Sequence, residues 1–379
     1  MDEDVPGAVL YKARAVLRER MDQAQSIDAV FSRDVAERVA DFTVGGGKRV
    51  RPQFLWWGMR ACGAATQAAD VDAALRLGVA LELIQTCALV HDDVMDGSPL
   101  RRGNPAVHVD FARNSGPVSG SVLSESFGRS AAVLVGDLAL VWADDTVAET
   151  TMAPATLQRV RSVWRAMRTE MVAGQYLDLH GQITGSRSAA RALRTAYLKS
   201  ALYSVARPLT LGAALASAAQ DTTRALSSAG RCAGLAFQLR DDLLGVFGDP
   251  AVTGKPSGGD IREGKPTYLM AVARSRAGAG GHGTVRALLD AAVGRTDLSD
   301  EALAKVRQVL VDTGARAEVE NRADRLMQDA ARHLAEAAVE PYAGRRLLGL
   351  LSDVAGACSM PSASAEPFES AAAEGGTTA

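Results

Sequence analysis

Apolar residues recur every three or four positions along most of this chain, which is the spacing that buries one face of an α-helix. Alternation of β-branched and polar residues, the pattern of a half-buried strand, is missing throughout. The sequence therefore predicts an all-α fold, a single-domain bundle of about a dozen helices. The predicted helices cover residues 8–43, 53–65, 73–96, 130–150, 155–184, 187–219, 223–247, 268–274, 284–293, 299–313 and 315–354.

Glycine-rich and polar stretches mark the breaks between these helices. Three glycines at positions 45–47 end the first helix. Residues 104–127 are predicted to form a long surface loop, and residues 275–283 a Gly/Ala loop. Residues 356–379 are mainly Ser, Ala, Glu, Gly and Thr, a composition that cannot bury enough apolar surface to become ordered. We therefore assign residues 1–355 to one domain and the rest to a disordered tail.

Composition and charge narrow the possible functions. The 379 residues are 47% hydrophobic and 23% charged, with a formal net charge of −2. Such a small net charge gives no general attraction to nucleic acid or to an anionic membrane surface. No run of about eighteen uncharged apolar residues, the length that crosses a membrane, is evident. The N-terminus is acidic where a signal peptide is basic. The four cysteines are scattered along the chain. These features predict a reduced, cytoplasmic protein with no membrane span and no nucleic-acid partner.

An acidic cluster follows the apolar stretch 75–90. It contains Asp92, Asp93 and Asp96, and the first and last of these share a helix face because they are four residues apart. Carboxylates at the end of an apolar wall repel one another unless a cation lies between them. Carboxylates with few histidines or cysteines nearby favour a hard ion such as Mg²⁺, which is commonly held by one or two carboxylates together with substrate phosphates. The alternative is an acidic helix end that is simply solvated.

A second apolar helix ends in acids about 150 residues later. Its acids are Asp241 and Asp242, and the position four residues after Asp241 is Gly245. Two acid clusters that face each other across a bundle could share several Mg²⁺ ions around one polyphosphate. One site with a metal-rich half and a basic half could hold two diphosphates, above an apolar wall for a hydrocarbon. The cations available for it are Lys48, Arg51, Arg101, Arg102, Lys199, Lys255 and Lys265.

Five segments, in order, resemble the trans-isoprenyl diphosphate synthases of the polyprenyl synthetase family, and geranylgeranyl diphosphate synthases most. The resemblance covers residues 40–350. It implies an all-α bundle around a deep central cavity, a homodimer, three Mg²⁺ ions per active site, and condensation of isopentenyl diphosphate with an allylic diphosphate (dimethylallyl, geranyl or farnesyl). The segments are GGGKRVRP at 45–52, HDDVMDGSPLRRG at 91–103, YLKS at 197–200, FQLRDD at 237–242 and GKPSGGDIREGKPT at 254–267.

The resemblance also assigns roles to the positions that match the family's motifs. The implied metal ligands are Asp92, Asp93, Asp96, Asp241, Asp242 and Asp260. The implied isopentenyl diphosphate clamp is Lys48, Arg51, Gln85 and Arg102. The implied allylic diphosphate contacts are Arg101, Lys199, Ser200, Gln238, Lys255 and Lys265. Catalysis is expected to depend on Asp92, Asp96, Asp241, Lys199 and Gln238.

Product length is expected to depend on side chains one or two turns before Asp92. Cys87 and Ala88 are small and leave the predicted cavity open, and Ile84 lies a further turn down. A twenty-carbon product, geranylgeranyl diphosphate, is the resulting prediction, with longer or shorter products as alternatives.

Gly245 departs from the second acidic motif of the family, which has an acid at this fifth position. The departure is also consistent with a class I terpene cyclase or an inactive regulatory subunit. A cyclase needs no isopentenyl diphosphate clamp, so the clamp residues count against it. A helical scaffold without a ligand would give the glycine turns and the acid clusters no purpose.

Overall fold

The apolar periodicity corresponds to helices in the computed structural model, which describes residues 2–64, 67–249, 257–279 and 283–356. The predicted all-α fold is confirmed. The α-helices of the described residues are α1 (Val5–Ile27), α2 (Ala29–Phe31), α3 (Glu37–Val44), α4 (Val50–Ala61), α5 (Ala68–Asp96), α6 (Val107–Arg113), α7 (Val122–Glu149), α8 (Pro154–Ile183), α9 (Ala189–Ala196), α10 (Arg207–Leu215), α11 (Gln220–Phe247), α12 (Gly259–Arg262), α13 (Tyr268–Ala279), α14 (Gly283–Ala292), α15 (Asp300–Asp312), α16 (Ala315–Glu336) and α17 (Pro341–Gly356). The other elements are π-helical segments at Ser32–Ala36 and Tyr197–Ala206, a 3₁₀ turn at Gly116–Val118, and strands β1 (Leu100–Arg101) and β2 (Asn104–Pro105).

Helix α5 is the central helix of the bundle. It packs against α1, α4 and α7, and its Leu77, Leu81 and Ile84 are fully buried. A helix that is apolar on nearly every side is stable in water only when other helices surround it. With a mean hydropathy of 1.6 in its most apolar window, α5 has the length and composition of a membrane-crossing helix, but 72% of that window is buried inside the protein. Arg76 and Glu82 interrupt this apolar stretch, so α5 contains no uncharged run of about eighteen residues, and it is the core helix of the bundle.

Helix α11 is the second long helix that ends in acid. It packs against the π-helical segment 197–206 and against α16. Its Leu239 and Leu243 join a separate hydrophobic cluster with Ile261 of α12 and Leu269 of α13. This second cluster fixes the segment that follows α11 against the end of that helix.

The predicted loop at 104–127 is largely structured. Strands β1 and β2 form an antiparallel hairpin with Arg102 and Gly103 at positive φ (53° and 78°) in its two-residue turn. The expectation of no strand is wrong here because strands of two residues have no detectable alternation. Helix α6 then buries Phe111, whose ring meets Phe127 of α7 edge-on at 6.0 Å. A few apolar side chains among many glycines and serines therefore suffice to order this region.

Other boundaries also differ from the prediction. Residues 8–43 are interrupted at Asp28, whose carboxylate accepts hydrogen bonds from the first backbone N–H groups of α2. Residues 187–219 divide into α9, the π-helical segment and α10, with Pro208 in the first turn of α10. Helix α13 continues to Ala279 through the predicted Gly/Ala loop, and residues 315–354 divide into α16 and α17. The predicted disordered tail, apart from Gly356, lies outside the described residues.

Candidate active site

A cavity of about 340 Å³ lies where α5, α8, α9, the π-helical segment and α11 meet. Most of the predicted acids and cations line it, so residues far apart in the sequence come together there. A larger cleft of about 710 Å³, between the end of α7 and the start of α8, contains none of the predicted site residues. The lining residues of the smaller cavity are Arg51, Gln85, Ala88, Leu89, Asp92, Arg101, Met171, Gln175, Asp178, Ala192, Thr195, Ala196, Lys199, Ser200, Tyr203, Ser204, Phe237, Gln238, Asp241, Asp242, Asp260, Lys265, Pro266 and Thr267.

Lys199 links two acids from different helices. Its Nζ lies 3.0 Å from Asp92 Oδ1 of α5 and 2.7 Å from Asp178 Oδ2 of α8. Burial lowers the pKa of Lys199, but the two carboxylates outweigh it and the pKa is raised. The π-helical segment that carries Lys199 approaches α8 closely, since a Cβ placed at Gly174 would lie 2.4 Å from the Lys199 backbone nitrogen. A π-helical turn is a common device for placing a side chain at a functional site.

The three acids of α5 have different surroundings. Asp92 also accepts a hydrogen bond from Gln175 Nε2 at 3.1 Å. Burial would raise the pKa of Asp92, but Lys199 and then Arg101 lower it below its ordinary value. Asp93 is fully buried, does not line the cavity and pairs with Arg101 of β1, whose Nε lies 2.9 Å from its Oδ1. Burial raises the pKa of Asp93 despite this arginine.

Asp96 lies beside Lys265, with its Oδ2 3.5 Å from the lysine Nζ. Its Oδ1 is buried and has no hydrogen-bond partner among the described residues. Burial and the neighbouring carboxylate of Asp92 raise its pKa. A buried carboxylate oxygen without a donor is costly, so this atom fits the approach of a cation.

The acids of α11 face the same cavity from the opposite side. Asp242 is buried and accepts a hydrogen bond from Gln238 Nε2 at 2.7 Å. Burial, and next the carboxylate of Asp260, raises the pKa of Asp242 well above its ordinary value. Asp241 is exposed, and both it and Asp260 of α12 line the cavity. Three carboxylates therefore line this part of the site, although the helical motif itself contains two.

The predicted clamp residues divide between the cavity and its rim. Arg51 donates from Nη2 to Ser204 Oγ at 2.8 Å, and its guanidinium lies 4.6 Å from the centre of the Tyr203 ring. The Tyr203 hydroxyl in turn donates to Gln85 Oε1 at 2.9 Å. Stacking on an aromatic ring and a hydrogen bond together fix the orientation of an arginine, so the contacts of Arg51 orient its guanidinium at the cavity.

The rim carries the other two cations of the clamp. Arg102 is exposed and donates to the carbonyl oxygens of Phe42 and Gly45, at 3.3 and 3.2 Å. Lys48 is exposed beside the glycine turn. The structure thus brings Arg51 and Gln85 to the cavity and leaves Lys48 and Arg102 outside its lining.

The predicted chain-length residues separate in the same way. Ala88 lines the cavity together with Leu89. Cys87 is buried and does not line the cavity; its Sγ lies 3.7 Å from His91 Nδ1, and His91 Nε2 lies 3.0 Å from the carbonyl oxygen of Val133 in α7. Ile84 is fully buried and does not line the cavity. Lys255 lies outside the described residues.

Several lining residues were missed by the sequence analysis. Asp178 and Gln175 lie in the polar string near the end of α8, and their spacing alone gave no sign of which side chains face a site. Tyr203 and Ser204 follow the Tyr-Leu-Lys-Ser motif by one turn. Glu82, three residues before Gln85, is a buried acid whose Oε2 lies 4.0 Å from Arg49 Nε. A charged residue inside an otherwise apolar helix was the signal that could have identified it.

The donors present suit Mg²⁺. Among the described residues, no three acidic, histidine or cysteine side chains form a ready-made metal cage. Mg²⁺ keeps several waters and is commonly held by one or two carboxylates together with substrate phosphates. The carboxylates that surround the cavity and the unpartnered Oδ1 of Asp96 would supply hard oxygen ligands for it.

An all-α bundle that places two acid-ended helices, a ring of cations and an apolar wall at one cavity defines a helical isoprenoid synthase. Residues 33–309 match the polyprenyl synthetase family, and the chain belongs to that family.

Solved structures and relatives agree with this membership. The crystal structure of geranylgeranyl pyrophosphate synthase from Corynebacterium glutamicum, complexed with isoprenyl diphosphate and magnesium, is 36% identical with a TM-score of 0.85 over 93% of this chain and 99% of that chain. Geranylfarnesyl diphosphate synthase of Aeropyrum pernix is 31% identical over 81% of this chain and 89% of its own length. A (2E,6E)-farnesyl diphosphate synthase of Mycobacterium tuberculosis is 32% identical over 71% of this chain and 68% of its own length. The chain is therefore a prenyltransferase of isoprenoid biosynthesis, and its relatives differ in product length.

Proposed function

We propose that this chain is a Mg²⁺-dependent head-to-tail prenyltransferase that condenses isopentenyl diphosphate with an allylic diphosphate and releases geranylgeranyl diphosphate. The observation that carries the proposal is that one cavity is lined both by the carboxylates of Asp92 and Asp241 with their neighbouring cations and by Arg51, whose guanidinium donates to Ser204 Oγ. Two diphosphates with different roles could bind there, one beside the carboxylates that would hold Mg²⁺ and the other beside Arg51.

The acidic part is the proposed site of the allylic diphosphate. Three Mg²⁺ ions would be held by Asp92, Asp96 and Asp241, with Asp242 and Asp260 beside them and Asp93 orienting Arg101. The cations Arg101, Lys199 and Lys265 line the same region and would contact the phosphate oxygens. When bound, Mg²⁺ neutralises the diphosphate as a Lewis acid and so makes it a better leaving group.

The residues of the chain have three further roles in this proposal. Lys199, held between Asp92 and Asp178, would direct its positive charge at the leaving diphosphate. Arg51, with Lys48, Gln85 and Arg102, would hold isopentenyl diphosphate so that its double bond faces the allylic carbon. Apolar lining such as Met171 and Phe237 would keep water from the allylic cation, which water would otherwise convert to an alcohol.

Product length is proposed to be twenty carbons. Ala88, one turn before Asp92, and Leu89 line the cavity wall, and the small side chain of Ala88 leaves space there. Because relatives named for fifteen- and twenty-five-carbon products match the same chain, neighbouring lengths are the alternative.

A homodimer is also proposed. Helix α7 carries a row of exposed apolar side chains, Leu123, Phe127, Leu134 and Val141, with exposed fractions of 52–65%. They recur at intervals of four and seven residues and so form one stripe on the helix, and a continuous exposed apolar stripe marks an interaction surface. Sedimentation should give a dimer mass that falls to the monomer mass in Leu134→Asp. A monomeric unsubstituted protein would contradict this part.

A cytoplasmic location is the last part of the proposal. It is supported by the scattered cysteines, of which Cys62, Cys87 and Cys232 are thiols rather than disulfides among the described residues. Cell fractionation should leave the protein in the cytoplasmic fraction.

One incubation tests the reaction. The protein is mixed with Mg²⁺, radiolabelled isopentenyl diphosphate and dimethylallyl, geranyl or farnesyl diphosphate, and the labelled products are hydrolysed and separated by length. A twenty-carbon alcohol from at least one primer is expected. No elongation of any primer would support an inactive subunit, and a cyclic hydrocarbon from geranylgeranyl diphosphate alone would support a cyclase.

A further inference from the structure

Arg49 is a buried arginine in the turn that separates α3 from α4. Its exposed fraction is 9%, and its backbone has φ 46° and ψ 45°, a left-handed conformation that residues with a side chain rarely adopt. Glycine is the usual residue there, and Gly46 and Gly47 just before it also have positive φ, 106° and 99°. An arginine in a strained backbone position indicates that its side chain has a use there.

The side chain of Arg49 binds the protein itself. Its Nη2 donates to the carbonyl oxygen of Val44, the last residue of α3, at 2.9 Å, and its Nη1 donates to the carbonyl oxygen of Gly47 at 3.2 Å. Its Nε lies 4.0 Å from Oε2 of Glu82 in α5, which is also buried. Arg49 does not line the cavity. A guanidinium makes several bonds in fixed directions, so this one joins the end of α3, the glycine turn and α5.

Two residues of the predicted isopentenyl diphosphate clamp flank Arg49 in the sequence. Lys48 precedes it, and Arg51 is the second residue of α4, the helix for which Arg49 is the N-cap residue. The carbonyl oxygens of Lys48 and Arg49 both accept from Gln53 Nε2, at 2.8 and 3.4 Å, so the turn is also tied to the first turn of α4. The backbone of Arg49 therefore sets the direction in which α4 starts and from which the Arg51 side chain reaches the cavity.

We infer that Arg49 is a positioning residue for isopentenyl diphosphate: its side chain does not contact the substrate but fixes the turn that carries Lys48 and Arg51. A turn that is ordered before binding loses less freedom when the ligand arrives, and the affinity is higher for that reason. The identity of the ligand rests on the proposed function, whereas the support of the turn by Arg49 does not.

The support is tested in the ligand-free protein by amide hydrogen exchange and mass spectrometry. Arg49→Asn removes the guanidinium but leaves a residue that tolerates the left-handed conformation. Amide hydrogens of residues 45–49 should exchange at least about fivefold faster in this variant, because the turn opens more often. Unchanged exchange at 45–49 would overturn the support.

Arg276→Asn is the matched control for this experiment. Arg276 Nη1 donates to the carbonyl oxygens of Thr313 and Gly314, at 3.2 and 2.8 Å, so it makes the same kind of contact with a turn that lies outside the cavity lining. This substitution should speed exchange at its own turn and leave residues 45–49 unchanged. Faster exchange at 45–49 in the control would show a general loosening and overturn the specific role of Arg49.

Isothermal titration calorimetry tests the effect on the substrate. Isopentenyl diphosphate is titrated alone, and geranyl diphosphate with Mg²⁺ separately, so that no condensation takes place. The Kd for isopentenyl diphosphate should rise at least about fivefold in Arg49→Asn, the size expected for about one lost hydrogen bond. Arg49→Lys, which can still donate to one of the two carbonyl oxygens, should recover part of the affinity. The Kd for geranyl diphosphate should stay within about twofold in both variants.

The outcomes separate the positioning role from the proposed function. An unchanged Kd for isopentenyl diphosphate in Arg49→Asn, or an equal increase in both Kd values, would overturn the positioning role. Arg276→Asn should change neither value. If the unsubstituted protein bound neither ligand, the proposed function would be refuted, and the exchange comparison would still decide whether Arg49 supports the turn.

Discussion

Asp178 offers a sharp test of how the site is held together, because its carboxylate shares Lys199 with Asp92. The distances from Lys199 Nζ are 2.7 Å to Asp178 and 3.0 Å to Asp92. Asp178→Asn keeps the size and one acceptor oxygen but removes the charge. Lys199 is then attracted mainly by Asp92, so its ammonium should move toward a proposed metal ligand and away from the place it would take beside the leaving diphosphate.

The size of the effect follows from the kind of interaction that is lost. A hydrogen bond to a charged group contributes about 1.5–3 kcal/mol, and about 1.36 kcal/mol corresponds to a tenfold change in rate. Asp178→Asn is therefore expected to lower kcat/KM for the allylic diphosphate about ten- to a hundredfold. The KM for isopentenyl diphosphate should stay within about twofold, since Arg51 and Gln85 have no contact with Asp178.

Steady-state kinetics with each substrate varied in turn measures this difference. The matched control is Asp144→Asn, which removes an ion pair with Arg168 outside the cavity and keeps an acceptor oxygen for Trp164 Nε1. The control should change stability without changing either KM. Our account of Lys199 is refuted if Asp178→Asn retains kcat/KM within twofold of the unsubstituted enzyme, or if Asp144→Asn lowers it as much.

Three other changes test the clamp, the wall and the buried acid. Arg51→Lys loses the planar guanidinium that stacks on Tyr203. It should raise the KM for isopentenyl diphosphate at least about tenfold and leave the KM for the allylic diphosphate unchanged. Equal changes in the two KM values would contradict the assignment of Arg51 to isopentenyl diphosphate. Ala88→Phe should shorten the main product by at least one five-carbon unit, as measured by chromatography of the hydrolysed products. An unchanged product length would contradict the role of Ala88 in limiting the chain. Burial raises the pKa of Glu82, although Arg51, Arg49 and Arg102 oppose this shift. The protonated side chain is therefore favoured in the folded protein, and its contribution to stability is complete below the ordinary glutamate pKa of about 4.3. That contribution is lost as the pH rises through the raised pKa of the folded state. Glu82→Gln should therefore melt at a higher temperature than the unsubstituted protein at pH 8 and at a similar one near pH 4, and a lower melting temperature at pH 8 would show that the arginines outweigh burial.

The sequence predicted a feature correctly where all the residues that define it lie on one helix. The run before Asp92 predicted an apolar helix that ends in acids, and the end of α11 was recognised by the same pattern. The two π-helical segments were not predicted, because a change from four- to five-residue hydrogen bonding leaves no pattern of residue types. The hairpin that carries Arg101 was missed for a similar reason, since two residues are too few to show alternation.

Which side of a helix faces the cavity was less predictable. Cys87 and Ala88 are adjacent in sequence, and a step of one residue turns the helix by about 100°. The structure brings Ala88 to the cavity and Cys87 toward α7, and sequence spacing before Asp92 could not separate them. The partnership of Lys199 with Asp178 was hidden in the same way, because it depends on how closely α8 and the π-helical segment approach at Gly174.

Gly245 shows why a motif read along one helix can understate the chemistry of a site. A motif of acids at fixed spacing describes carboxylates that share one helix face, whereas a ligand in the cavity meets whatever oxygen atoms are near it, from any element. A glycine in α11 and an aspartate fifteen positions later are unremarkable separately, and only the 2.3 Å distance from a Cβ at one to a carboxylate oxygen of the other links them. An acid at position 245 would restore the motif in the sequence, and its Cβ would meet the Asp260 carboxylate, which would have to rotate away.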